Sequence, residues 1–306
     1  MKYYKQNGVA LITVLMVVAL ATFSMVSIAY RLQLDIRRTE NTLYHGQALQ
    51  ISKLAEHLAQ KTLIDDSDKN KRDDLGEAWA TVKDENLVFE DVPVVAEITD
   101  LQGRFNLNNL NQEGDAGVEA RKQFARLLST LQIQQPLHNT IADYIDKNKE
   151  ALPAPGAAED SSYQNLEIAY LPANRDMISP SELRLMFGIT KKDYETLLPY
   201  ITTLPKVTSI NVNTASAEVL SSVAAGLTEE IVQGILSSRP FDDVAQFTAN
   251  QALTRFRIDE KLLSVTTDYF LFESTVFFGH VQQKQQVIFE RQNTAVHSIM
   301  HAEGEL

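Results

Sequence analysis

The chain has 306 residues, 44% of them hydrophobic, and carries 40 Asp and Glu against 28 Lys and Arg, a net charge of −12. That is enough apolar surface for one large domain or two small ones. The acidic balance argues against a nucleic-acid partner, which needs a clustered basic face, and the absence of cysteine excludes disulfides and thiolate metal sites.

From Val9 to Tyr30 the sequence VALITVLMVVALATFSMVSIAY runs 22 residues without a charge. At about 1.5 Å per residue a helix of this length crosses the roughly 30 Å core of a bilayer. Its polar residues, Thr13, Thr22, Ser24 and Ser27, can hydrogen-bond within their own helix. Lys2 and Lys5 precede the span, and Arg31, Arg37 and Arg38 follow it among Asp35 and Glu40. Charge on both sides leaves its orientation open. A secretory signal cut after Ser27-Ile28-Ala29 is the competing reading, but the apolar stretch exceeds the usual core of about 7–15 residues.

The helix is expected to continue to about Leu63. Leu43, Ala48, Ile51, Leu54, Ala55 and Leu58 recur at spacings of three and four and predict one apolar stripe. The run DDSDKNKRDD, Asp65 to Asp74, reads as a solvated loop that ends it. Asn86–Glu90 and Pro93–Asp100 then read as strands. So do Tyr269–Val281, Gln286–Gln292 and Thr294–His301 at the far end, which alternate apolar and polar residues. Strands at both ends and none evident between them predict one antiparallel sheet interrupted by a long insertion.

That insertion, Asn108 to Thr267, reads helical. Gly117–Gln132 places Val118, Phe124, Leu127, Leu128 and Leu131 at helical spacing, and Pro136–Asp146 follows with Ile141, Tyr144 and Ile145. Gly188-Ile189-Thr190 and Gly226-Leu227-Thr228 form a weak repeat, with each Thr placed to cap a helix. Ile210–Phe241 resembles a helix-hairpin-helix module. Between Lys206 and Glu273, however, nine acids outnumber five bases, so it reads as a packing unit and not a phosphate binder. Trp79, the only tryptophan, is expected in a core.

Two places carry candidate chemistry. Oxygen side chains alternate at Asp146, Asn148 and Glu150, and a Pro/Gly loop returns Glu159 and Asp160. Calcium takes six to eight hard oxygen ligands with tolerant geometry, so the loop is either a cation site or an ordinary solvated acidic loop. It is no EF-hand, because Ala151 stands where that loop requires Gly. The second place is Gly8, a small residue closing a short basic leader directly before the apolar span. The six histidines are scattered, and the motifs of hydrolases, nucleotide-binding enzymes and zinc proteases are missing. The chain therefore reads as non-enzymatic.

A basic leader ending in Gly8 and abutting VALITVLMVVAL resembles the prepilin-peptidase site of type IV pilins and type II secretion pseudopilins. The position that usually holds Glu, fifth after the cut, is Thr13. That departure, Arg38-Thr39-Glu40-Asn41, Gln102-Gly103-Arg104-Phe105-Asn106-Leu107-Asn108, and Pro172-Ala173-Asn174-Arg175 with Ser179-Pro180-Ser181-Glu182-Leu183 are similar to the K-type minor pseudopilins. The resemblance implies cleavage between Gly8 and Val9 by prepilin peptidase, N-methylation of Val9, and a single-pass inner-membrane protein with its bulk in the periplasm. It implies capping of the pseudopilus tip and help in starting its assembly, for export of folded proteins across the outer membrane. The implied partners are minor pseudopilins I and J, other pseudopilins and the inner-membrane assembly platform. It also implies calcium at the acidic loop, although the family usually shows Asp where Asn148 stands.

The expected fold class is α+β, a pilin-like long N-terminal helix on a small antiparallel sheet with a large all-helical domain inserted between the strands. The expected division is 1–8 leader, 9–30 transmembrane half-helix, 31–64 periplasmic half-helix, 65–107 and 268–306 sheet, and 108–267 inserted helical domain, with 205–267 its helix-hairpin-helix-like part. The rival reading is a membrane-tethered periplasmic protein of calcium-dependent binding or adhesion.

Overall fold

A computed structural model describes residues 7–67, 71–81, 87–89, 91–293 and 295–304. Residues 1–6 of the expected leader, including Lys2 and Lys5, lie outside the described residues.

No proline interrupts the chain before Pro93, and α1 runs unbroken over Asn7–Ser67, 61 residues, about 90 Å at 1.5 Å per residue. It reaches four residues beyond the expected end, into the charge run. That run is only partly the solvated loop expected. Asp66, Asp73 and Asp74 are buried, because cations meet them: Arg72 Nε donates to Asp74 Oδ2 at 2.9 Å, and the buried Arg291 meets the other two. Arg291 Nη2 donates to Asp73 Oδ2 at 2.5 Å, and its Nη1 lies 3.5 Å from Asp66. A short helix α2, Ala78–Thr81, follows and buries Trp79 edge-on against Phe270, ring centroids 5.2 Å apart.

Five strands form the sheet, in the order β1 (Leu87–Phe89), β2 (Val92–Asp100), β7 (Tyr269–Phe278), β8 (Val281–Gln292), β9 (Ala295–Glu303), all antiparallel. Period-2 alternation puts Val94, Ala96, Ile98, Phe270, Phe272, Val287 and Phe289 on the face that packs on α1. The helix answers with small residues, Ala48, Ser52, Ala55 and Ala59, which let its backbone approach the sheet closely. At the β7–β8 turn Gly279 has φ +60, and a Cβ there would come within 2.8 Å of the Tyr44 ring of α1. The opposite face carries a smaller apolar cluster of Leu101, Leu204, Tyr269, Leu271 and Ile288, with Met300 packed against it.

Between β2 and β7 the chain builds a second core. It comprises β3 (Phe105–Asn106), α3 (Gly114–Thr130), α4 (Leu137–Ile145), α5 (Asp160–Gln164), α6 (Lys191–Leu197), β4 (Ile201–Thr202), β5 (Ile210–Asn211), α7 (Ala217–Val223), α8 (Glu229–Ser237), α9 (Val244–Thr248) and β6 (Leu263–Ser264). The two-residue strands pair in parallel, β3 with β4 and β5 with β6. They are too short to leave a pattern in sequence. The helical core begins at Phe105, which stacks on Phe124 with centroids 5.0 Å apart. Gly188 and Gly226 hold φ +77 and +84, and Thr190 and Thr228 cap the helices that follow by accepting from Asp193 and Ile231 N–H. The weak repeat is thus a real repeat of local geometry.

Polar side chains close the junction where the insertion leaves and rejoins the sheet. Gln102 accepts from Asp268 N at 2.6 Å and donates to Ser209 O at 3.1 Å. Asp100, buried, accepts from Asn211 Nδ2 at 2.8 Å and Thr214 Oγ1 at 2.6 Å. Burial still pushes its carboxyl above the ordinary range. Asp73 beyond the end of α1 joins this junction through its backbone: its N–H donates to Val265 O, and its carbonyl accepts from Asn211. The inserted body is therefore fastened over the C-terminal end of α1.

Candidate functional site

The candidate functional parts are the surface of α1 and the acidic loop after α4. The helix passes through the Gly8–Val9 bond, and Val9 is the first residue with a described side chain. Among the described residues α1 is the one helix long and apolar enough to cross a membrane, and its apolar window has no buried residue. Thr13 Oγ1 donates to Ala10 O at 2.9 Å, Thr22 to Val18 O at 2.8 Å and Ser24 to Leu20 O at 2.9 Å. Each of these hydroxyls is satisfied by its own helix and needs no neighbour.

Beyond the span, the single stripe expected from sequence is two faces. Ala48, Ala55, Ala59 and Leu63 are buried on the sheet, while Leu32, Ile36, Leu43, Leu54 and Leu58 are exposed. The exposed set steps by four, seven, eleven and four residues. At about 100° per residue it falls within an arc of about 80°, roughly 150° around from the buried set. Leu54 is 46% exposed although it neighbours Ala55 at 3%. Spacing of three and four could not separate these faces, because Ile51 and Leu58 bridge them. A continuous aliphatic stripe on a helix, opposite its own sheet, fits the side of another helix.

One interaction on the buried face is polar. Glu56 Oε1 accepts from Ser298 Oγ at 2.8 Å and lies 3.0 Å from His301 Nε2, and Gln285 Nε2 donates to Oε2 at 2.8 Å. Burial acts to raise its pKa, but the hydrogen bonds from Ser298, His301 and Gln285 outweigh that and hold Glu56 below its ordinary value.

At the acidic loop Asp143, Asp146 and Glu159 bring ligand oxygens within 4.8 Å of one another. α4 supplies Asp143 from its last turn, and its carboxylate accepts Leu152 N at 3.2 Å and Ala158 N at 2.9 Å. Asn139 and Thr140 add bonds to Pro155 O and Gly156 O. Gly156 has φ +84 and sits where a Cβ would meet Pro136 Cγ at 2.7 Å, so the loop is tied back onto α4 by backbone contacts. Glu159 is 5% exposed, and neither of its carboxylate oxygens has a hydrogen-bond partner among the described residues. Burial, then Asp146 and Asp143, push it up to about 7. Three carboxylates with an orphaned, buried member make an all-oxygen donor set, which suits a hard cation such as calcium.

The other expected ligands are placed differently. Asn148 closes the turn by donating its Nδ2 to Asp146 Oδ2 at 2.8 Å and accepting Glu150 N at 2.7 Å. Glu150 is exposed, and its carboxylate stands outside the three-carboxylate cluster. Asp160 also stands outside it and lies 3.4 Å from Lys149 Nζ, with its Oδ1 buried and unpartnered among the described residues. Asp143 does not stand out as a ligand in sequence, although it lies three residues, one helical turn, before Asp146.

A family model described as type II secretion system (T2SS), protein K matches residues 103–206, and a second of the same description matches 210–266. The type II secretion system protein K of Pseudomonas aeruginosa is 36% identical, covering 91% of this chain and 86% of that protein. The same-named protein of Klebsiella pneumoniae is 30% identical over 94% of each. A crystal structure of the GspK–GspI–GspJ complex from the enterotoxigenic Escherichia coli type 2 secretion system matches with a TM-score of 0.76 and 25% identity, over 88% of this chain and 100% of that one. With its long helix, its antiparallel sheet and its inserted helical body all accounted for, the chain belongs to the type II secretion system protein K family.

Proposed function

We propose that this chain is a non-enzymatic minor pseudopilin that caps the periplasmic pseudopilus and helps start its assembly. It would be cut between Gly8 and Val9 by prepilin peptidase and methylated on Val9. It would be held in the inner membrane by residues 9–30 and joined through the Leu32–Leu58 stripe to the helices of pseudopilins such as I and J. The observation that carries the tip position is the attachment of the inserted body over the C-terminal end of α1, through Asp73, Asn211 and Val265. A subunit stacking above along parallel helices would need the volume this body fills. Thr13 supports the same reading, since its hydroxyl stays within its own helix and offers no charge to a neighbour's terminal amine. Pseudopilins I and J are the natural partners, because the similar GspK chain was crystallised in complex with GspI and GspJ.

Asp143, Asp146 and Glu159 are the residues that would hold a calcium ion, with Asp160 beside them. Its part would be structural, neutralising three carboxylates that otherwise repel across one loop. Immunogold labelling of pseudopili with an antibody to the helical body tests the position. Label at one end of each fibre is expected, and label along the shaft would overturn the cap.

A further inference from the structure

Of the sequence motif Gln102 to Asn108, every member but one has a structural task in the folded chain. Gln102 clamps the junction. Gly103 packs against Thr214, where a Cβ would come within 2.9 Å of its hydroxyl. Phe105 and Leu107 are core. Asn106 and Asn108 hold the backbone at Leu204 and Met177. Arg104 is the exception. Its guanidinium makes no hydrogen bond and no ion pair among the described residues, and burial pulls its pKa below the ordinary value. The half-buried guanidinium keeps some contact with solvent and leaves its planar fork of N–H donors open to an anion that enters beside it.

Arg104 lines a groove of about 410 Å³ between the inserted body and the sheet face that looks away from α1. The sheet side is Leu271, Ile288 and Met300; the facing wall includes Ile178 and Leu198. A second hollow of about 420 Å³ continues along Ile288 and Met300. Ile178 stands at the rim, 58% exposed. Its backbone is fixed, with the N–H donated to Glu182 at 2.7 Å and the carbonyl accepting Thr203 Oγ1 at 3.0 Å. With its backbone fixed, the exposed Ile178 side chain extends the apolar surface formed by Leu271, Ile288 and Met300. The nearby acids do not neutralise Arg104 by contact. Glu273 in the same groove is engaged by Gln286 Nε2 at 2.5 Å. Asp100 is engaged by Asn211 and Thr214, and Glu97 acts on Arg104 only through the field.

We propose that this groove docks an extended segment from the head of a neighbouring pseudopilin, with an aliphatic side chain over Ile288 and Met300 and a carboxylate on Arg104. Charge complementarity selects the carboxylate, which a guanidinium binds by paired, charge-assisted hydrogen bonds. The placement selects a head segment. The groove lies on the opposite face of the sheet from α1, so helices packed on the Leu32–Leu58 stripe do not reach it. A site reading one aliphatic–acidic pair suits an assembly partner of fixed sequence better than exported proteins of many sequences. This inference rests on the pseudopilin reading above.

The test places photo-reactive p-benzoylphenylalanine at Ile178, or separately at Leu54, of the full chain in cells that make the whole secretion apparatus. Mass spectrometry identifies each adduct. Ile178 is expected to crosslink to a peptide of another pseudopilin's head. That adduct should fall about tenfold or more with Arg104→Gln and be largely kept with Arg104→Lys, as a charge-assisted contact requires. The Leu54 adduct should survive Arg104→Gln, showing that the variant still folds and assembles. An Ile178 adduct with an exported protein, an adduct indifferent to Arg104→Gln, or none at Ile178 while Leu54 gives one, each overturns the groove assignment and leaves the pseudopilin reading standing. Silence at both positions overturns both.

Discussion

Ser298 and His301 reach the same oxygen of Glu56, although they stand three residues apart on one strand and should face opposite sides of the sheet. The pairing of β8 with β9 explains this. Ile288 faces Met300 and Phe289 faces Ser298, so Ile299 is an extra residue, a β-bulge. The bulge switches the phase of β9. Before it Val296 and Ser298 face α1; after it His301 does, and Met300 turns to the outer face.

Glu56→Gln should therefore weaken the contact between α1 and the sheet by about 1–3 kcal/mol, the range for disturbing a buried, hydrogen-bonded group. The folded-state pKa of Glu56 lies below its ordinary 4.5. Its contribution is then fully present above the ordinary value and lost as pH falls through the lowered one. Denaturant melts of both proteins should differ most at neutral pH and converge in acid. A gap that stays constant into acid would show that the carboxylate charge is not what matters.

The two faces of α1 should respond oppositely to substitution. Leu54→Glu should leave stability within about 0.5 kcal/mol, as for an exposed site, and abolish crosslinking to partner helices and secretion. Ala55→Leu, one residue on, should cost about 1–3 kcal/mol by overpacking against the sheet. Thermal melts with a secretion assay check both. Secretion unaffected by Leu54→Glu would remove the stripe as an interface.

The acidic loop gives a calcium prediction that separates its residues. Chelator should lower the melting temperature of the chain, and calcium should restore it where magnesium, which resists dehydration, restores little. A hundredfold excess over the dissociation constant adds about 2.7 kcal/mol. Asp146→Asn with Glu159→Gln should erase the calcium shift, while Glu150→Gln should preserve it, because Glu150 is exposed outside the cluster. In chelator the folded chain holds the Glu159 proton up to about 7, well above an unfolded carboxyl. Stability should then rise on mild acidification through that value, and saturating calcium should remove the rise. A melting temperature indifferent to chelator would dismiss the cation site.

Much of this architecture was legible in sequence because it follows from short-range pattern. The 22-residue apolar run and the caps Thr190 and Thr228 are local signals, and so is the strand expected over Tyr269–Val281, although it turns at Gly279 and Val281 opens β8. What was not legible depends on contacts across the fold. Asp66 and Asp73 read as solvated charges until Arg291, more than two hundred residues on, is folded against them. Asp143 reads as one more polar residue in a helix, and only the returning loop brings Glu159 to it. Glu150 fitted an alternating ligand pattern, yet Asn148 uses that turn to cap Asp146 and leaves Glu150 in solvent. The bulge at Ile299 leaves no mark in sequence.

Thr13 should tolerate Val, because its hydroxyl serves only Ala10 of its own helix. Thr13→Glu should not improve secretion. A carboxylate there adds about 2.5–3.5 kcal/mol to membrane insertion at the centre of a span, less nearer its end. Quantifying the membrane-inserted chain and secretion for both variants checks this. Better secretion with Glu would mean that a partner amine is within reach.

The mass of the chain isolated from membranes is the most direct test of its place in pseudopilus assembly. A mature protein beginning at Val9 and carrying one methyl group on its amine is expected, together with loss of that species when Gly8 is replaced by Glu. A protein that keeps Met1, or one that begins at Tyr30 after a cut past Ala29, would contradict it.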